Sequence, residues 1–218
     1  MTAGADGCKD KWIAVVESHS GRTEIWEPQP FGGLCRSPSL ELIVIDIPIG
    51  LVNSGAREAD TAARRFLRQR ACCVFTAPIR PMLDCQTWVE ACSLRFEIEA
   101  KKISKQQFGI LSKVREVDAE LRRGAGVKVR EGHPEVSFAI MNGDSPIPIS
   151  KKKRAGKAQR QELIYAQFPD AKLRISECRI YVEDILDAYA LLWTARRIQH
   201  GSARRFPSSG DPCGVINA

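Results

Sequence analysis

The sequence predicts an α/β domain built on one mixed sheet flanked by helices, and three observations carry this. Three short extended segments follow one another near the start, a continuous β-branched run, LELIVIDIPIGL, comes next, and helical periodicity then dominates. One further extended piece, Val127 to Glu131, interrupts the helices, so the order β-β-β-β, helices, β, helices describes an α/β or α+β domain with a mixed sheet of five strands.

Residues 2–17 read as a hairpin, with a Gly/Asp/Lys turn around Asp6 to Lys11 and a second strand from Trp12 to Val16. Thr23 to Glu27 follows Gly21 and stops before Pro28, extending the hairpin to an antiparallel meander. LELIVIDIPIGL holds a continuous β-branched run typical of a strand covered on both faces, which belongs in the middle of a sheet. Apolar residues at three- and four-residue spacing predict helices over Glu58–Leu67, Thr87–Lys101 and Lys105–Arg122, the last stopped by Gly124 and Gly126. Pro134 opens the next helix, where its missing N–H costs nothing, and Ala155–Phe168 and Val182–His200 are two more. The stretch from Arg204, rich in Ser, Gly and Pro, reads as a loosely held tail. With no repeat and no linker, residues 1–218 read as one domain with a helical insertion at about 55–125.

Surface scaling gives about 10,000 Å² folded against about 35,000 Å² unfolded, enough burial for a core without metal or disulfide staples. At 44% hydrophobic and 27% charged residues the chain is neither disordered, collagen-like nor low-complexity. Its best apolar run, Leu42 to Val52, is broken by Asp46, Pro48 and Gly50 and falls short of the ~18 residues of a membrane span. The start, MTAGADGCKDKW, shows no charged segment followed by an apolar one, so the cytoplasm is the expected compartment. The eight cysteines form no CxxC pair and read mainly as small core residues.

Net charge is +7, but the segment KKKRAGKAQR at 151–160 holds six basic and no acidic residues, and over the rest of the chain the two signs nearly cancel. Lys151, Lys152, Lys153 and Arg154 therefore form a local patch that could follow a phosphate backbone, or a solvated loop entering a helix.

Asp46 sits in an otherwise apolar strand, where an unpaired carboxylate would cost several kcal/mol. Pro48 cannot donate to a ladder, so the strand ends near Asp46 and places it at the carboxyl edge where open sheets bind ligands; capping of the following turn is the alternative. Asp184 and Asp187 are three apart on the helix VEDILDAYALLWTARR, on a face continued by Ala188, Leu191 and Ala195. Helix capping also explains Asp184 and suits Asp187 less well. Asp6 taken alone reads as an Asx-turn residue. In REGHPE, Glu131 ends the short strand near the same edge as a candidate metal ligand, and His133 is a candidate proton shuttle or a helix-start residue bonding backbone.

An acid after strand one, an acid in strand four and an acid pair opening a late helix together resemble the ribonuclease-H-like nucleases, the DxxD pair being nearest to the RuvC-type resolvase branch. More closely, the chain resembles the family called domain of unknown function 429, usually described as a predicted nuclease of ribonuclease-H-like fold. GADGCKDKW, IDIPIGL, READTAARR, VFTAP, REVDAEL, VREGHPEVSF, SKKKRAGKAQR and EDILDAYAL carry this resemblance in that order over nearly the whole length.

The resemblance implies a ribonuclease-H-like sheet and a carboxylate site, Asp6, Asp46, Asp184 and Asp187, for two magnesium or manganese ions (Mg2+ or Mn2+) about 4 Å apart, which the candidate ligand Glu131 would join. It implies hydrolysis of phosphodiester bonds in a nucleic-acid partner, DNA or RNA. A catalytically silent nucleic-acid-binding adaptor and an enzyme on a small phosphorylated substrate are the rival expectations. Arg57, Arg64 and Arg115, in READTAARR and REVDAEL, fit salt-bridged helix faces, and the family pattern points to a substrate groove.

Overall fold

A computed structural model describes residues 1–178, 180–208 and 214–218. Strands β1 (Thr2–Cys8), β2 (Lys11–Glu17) and β3 (Thr23–Gln29) form the antiparallel meander, with a turn at Lys9 and Asp10 that is tighter than the sequence suggests. Pro28 lies within β3, which tolerates it because β3 is an edge strand. Strands β4 (Leu42–Ile45) and β5 (Lys128–Glu131) complete the sheet in the order β3-β2-β1-β4-β5, with β4 parallel to both β1 and β5. This is the predicted mixed α/β sheet in a ribonuclease-H-like arrangement, with β4 flanked on both sides.

Strand alternation sends Trp12, Ala14, Ile43 and Ile45 to one face, where they pack with Phe31 and Leu34 of helix α1 (Phe31–Cys35). Helices α2 (Glu58–Leu67), α3 (Trp88–Glu99), α4 (Lys105–Gly109) and α5 (Leu111–Arg122) fall between β4 and β5. Val114 and Val117 of α5 close this first core. One helix predicted over Lys105–Arg122 is thus two: a capping box joins Ser104 and Gln107, and the chain turns after Gly109 before α5 begins.

Ile13 and Val15 face the other side and meet α9 (Val182–Gln199), together with α7 (Arg154–Gln167) and α8 (Ala171–Glu177). Helix α9 lies directly on β1: a Cβ built on Gly4 would stand 2.1 Å from the Leu192 backbone nitrogen and 2.2 Å from the Ala188 carbonyl oxygen. Gly4 permits this approach, and nothing bulkier than glycine fits at position 4.

Helix α6 (Pro134–Met141) joins α2 in a third cluster through Val136 and Ala139. Phe206 and Ile216 add to it from two short antiparallel strands, β6 (Arg205–Phe206) and β7 (Ile216–Asn217). The expectation of a loose tail is therefore corrected for the described residues, since Ala218 is fully buried and the Asn217 amide donates to the Glu131 carbonyl at 2.9 Å. Cys8, Cys35, Cys85 and Cys92 are core residues as expected, whereas Cys72 is exposed and Cys213 lies outside the described residues. No described helix is long and apolar enough to cross a membrane.

Candidate functional site

Strands β1 and β4 run in parallel with Ala5 opposite Ile45, which brings the following residues, Asp6 and Asp46, out at the same edge. The contact of α9 with Gly4 sets Asp187, the neighbour of Ala188, over that edge. Asp6, Asp46 and Asp187 consequently line one cavity of about 510 Å³, shared with His133, Glu135 and Lys151. Asp184, one helical turn earlier, does not line it but contributes its charge.

Three acids at one sheet edge shift one another's titration. Burial holds the Asp6 carboxyl well above the ordinary carboxylate range, the charges of Asp187, Asp46 and Asp184 add to this, and the Gly7 amide, donating at 2.7 Å, opposes it. Burial raises Asp46 as well, against the pull of His133 and Lys151. Asp187, only 4% exposed, is pushed up to about 6 by burial even though Lys151 Nζ donates to its Oδ2 at 2.5 Å. Burial also raises Asp184, which Lys151 and Lys113 partly relieve.

The donor set is all carboxylate oxygen, as hard divalent cations prefer, and Asp46 accepts no hydrogen bond from any described residue. In kind, then, the residues suit such an ion, and all three acids line one cavity. As the side chains stand, no group of three or more His, Cys, Asp or Glu among the described residues converges on one point. Lys151 supplies Asp187 with the positive charge that an ion would bring.

Several expected site residues have other partners. Glu131 lines the cavity, but it is not a free ligand: it is 5% exposed and paired with Arg57 through both oxygens, at 2.6 and 2.8 Å, and it accepts the Ile49 amide at 2.6 Å. Arg57 also lines the cavity, but it is 2% exposed and its guanidinium is engaged by Glu131, by Asp60 at 2.6 Å and by the Ile49 carbonyl at 2.8 Å. Arg64 is likewise occupied, donating to the Val74 carbonyl at 2.8 Å and to Thr76 Oγ1 at 3.1 Å. Arg115 caps the carbonyls of Leu83 and Cys85. Each guanidinium is engaged by buried or half-buried acceptors, some of them far off in sequence, and this limits what it can offer a substrate.

Of the basic segment, Lys151 and the exposed Lys152 line the cavity, while Lys153 and Arg154 are exposed away from it at the start of α7. Arg160 of α7 sets the approach to Lys151: buried, it donates to the Ile149 carbonyl at 3.1 Å and to both oxygens of Glu135 at 2.7 and 2.8 Å. His133 precedes α6 with Nε2 3.3 Å from the Cys73 carbonyl oxygen, so that nitrogen is the donor and the buried Nδ1, with no partner among the described residues, is left as an acceptor.

Sequence reasoning missed Lys113, Phe75 and the position of Arg160. Lys113 lies over Gly7, beside Asp6, with Nζ 4.6 Å from the Trp12 ring centre and donating to the Lys11 carbonyl at 2.6 Å. Its signal would have been a lysine on the face of α5 that carries Val114 and Val117, visible only once the helix is docked.

Among known protein families, the one described as Protein of unknown function (DUF429) matches the chain over residues 4–211. No curated protein and no solved structure matches the chain.

Proposed function

The chain belongs to the DUF429 family, and we propose that it hydrolyses phosphodiester bonds of nucleic acid with the help of divalent cations. The observation that carries this reading is the meeting of Asp6, Asp46 and Asp187, from three separate elements, in one cavity beside basic side chains. Carboxylates that raise one another's titration cost the fold stability, and a bound cation recovers it.

Asp6, Asp46 and Asp187 would hold magnesium or manganese, with Asp184 adding charge from outside the cavity. The chemistry such ions supply is polarisation of the phosphoryl group and easier deprotonation of an attacking water. Lys113, Lys151 and Lys152 attract the phosphates toward the acids. His133, with Nε2 engaged by the Cys73 carbonyl, presents Nδ1 as the atom that takes up or relays a proton.

A second reading, a nucleic-acid-binding protein without turnover, has one observation in its favour: the Lys151 ammonium already meets the charge of Asp187. The test is paired. Melting temperature is measured with and without magnesium or manganese, and cleavage is assayed on single-stranded, duplex, hybrid and branched substrates. A metal-dependent rise in melting temperature together with cleavage supports the nuclease. Neither response, with binding retained, leaves the second reading in its place.

A further inference from the structure

The cavity has a part that the carboxylates do not use. Residues 70–77 of the insertion contribute to its lining, and among them Phe75 is 49% exposed while its neighbour Val74 is 2% and Ala77 is 4% exposed. An exposed phenylalanine on a mobile loop would mean little, but this backbone is clamped on both sides of the ring. Arg64 Nε donates to the Val74 carbonyl at 2.8 Å and Arg64 Nη2 to Thr76 Oγ1 at 3.1 Å. Gln107 Nε2 donates to the Thr76 carbonyl at 2.9 Å, and the Ala77 amide donates to Asp60 Oδ2 at 2.9 Å. READTAARR and VFTAP are therefore one device: the helix residues Asp60 and Arg64 hold the loop so that Phe75 stays in the cavity wall with a face uncovered.

We propose that Phe75 is a stacking platform for an unpaired base, and that the substrate enters as single-stranded or locally opened nucleic acid. This rests on the nucleic-acid reading above and names its substrate class. A cavity of about 510 Å³ is on the scale of a small-ligand site, suited to one nucleotide and its phosphate rather than to a duplex. Aromatic faces fixed beside a basic groove are how proteins bind single strands without reading sequence, since every base has a π-face. Lys113, Lys151 and Lys152 supply the basic component in the same cavity.

The experiment compares wild type, F75A, F75L and F75W by fluorescence anisotropy, with calcium in place of magnesium so that strands are retained. The probes are a labelled DNA or RNA single strand of about ten nucleotides, within the ~4–16 covered by one single-strand-binding fold, and a blunt duplex of equal length. Wild type should prefer the single strand, F75A and F75L should weaken it by about 5- to 150-fold, and F75W should restore it. The slope of log affinity against log salt should stay unchanged in all three variants, because no charge is altered. Single-strand affinity unaffected by F75A, or a duplex bound as tightly as the single strand, overturns the stacking platform alone. Failure of the wild type to bind any of these nucleic acids overturns the nucleic-acid reading itself.

Discussion

Lys151 Nζ stands 2.5 Å from Asp187 Oδ2, so the most buried of the three cavity carboxylates carries its own counter-ion. Burial works against the ammonium, yet the attraction of Asp187 outweighs it and Lys151 titrates above its ordinary range. Any cation that binds Asp187 competes with this lysine. Lys151→Met should therefore enlarge the rise in melting temperature caused by magnesium or manganese. It should also lower the metal-free stability at pH 8 by about 1–2 kcal/mol, modest because Lys151 is partly exposed. At pH 4, where Asp187 is largely protonated, the variant should melt close to wild type. Equal losses at both pH values in calorimetry would show that Lys151 acts through packing alone.

The acid cluster predicts a pH dependence whose sign is the reverse of the usual carboxylate case. Asp6, Asp46 and Asp187 all titrate above their ordinary value when folded, so the folded state holds protons that the unfolded chain has released. Their contribution to stability is complete below about pH 4, declines as pH rises and, for Asp187, is lost once pH passes about 6. Metal-free protein should melt at progressively lower temperature across this window, and Asp187→Asn should flatten that part of the curve. A flat wild-type profile between these limits would count against the burial and like-charge repulsion that raise these acids.

Asp46→Asn keeps the size of the side chain and removes its charge. Because Asp46 accepts no hydrogen bond from any described residue and its titration is raised by burial, the metal-free variant should melt slightly higher than wild type, by roughly 1–4 °C. It should lose the metal-dependent shift and the cleavage together. Retention of both would remove Asp46 from the proposed ligand set.

Arg57 is paired with two buried acids, and taking away one partner of a buried pair costs about 3–5 kcal/mol. Arg57→Met should lower the melting temperature by roughly 6–20 °C in a chain of this size. Arg57→Lys should recover only part, since an ammonium cannot reproduce the two-pronged contact with Glu131. Thermal melts of the two variants decide the matter: equal stability of wild type and Arg57→Met would contradict the structural role.

Neutralising Lys151, Lys152, Lys153 and Arg154 together should weaken nucleic-acid binding. It should also reduce the log–log salt slope by about 0.7–0.9 for each phosphate that is no longer neutralised. Since only Lys151 and Lys152 line the cavity, restoring those two alone should recover more affinity than restoring Lys153 and Arg154. An unchanged slope would return the segment to an ordinary solvated loop.

The fold was legible where pattern and burial coincide. The run ending at Asp46 announces a central strand, and the spacing in Glu58–Leu67 matches α2 from end to end. Asp46 and Asp187 were legible too, because an acid among apolar neighbours needs an explanation at the level of sequence, whereas Asp6, an Asx-turn residue when taken alone, entered only through the family resemblance. Arg57, Arg64 and Arg115 were not, since charge spacing on a helix does not say which face docks. The decisive acceptors, Glu131 for Arg57 and the Leu83 carbonyl for Arg115, lie 74 and 32 residues away. Phe75 hid for a related reason: within VFTAP nothing distinguishes it from Val74, and only the clamps around it turn one side chain inward and leave the other out.

The contact between Gly4 and Ala188 has a consequence for how the site endures change elsewhere. Most helix–sheet spacings are cushioned by side chains, whose volumes drift as sequences diverge, and the groups carried on each layer drift with them. Here the two main chains touch directly, so the separation between the strand bearing Asp6 and the helix bearing Asp187 is governed by covalent geometry and van der Waals radii. The surrounding core can exchange one aliphatic residue for another while the acids keep their registration, as two instruments bolted to a common plate hold alignment whatever is packed around them.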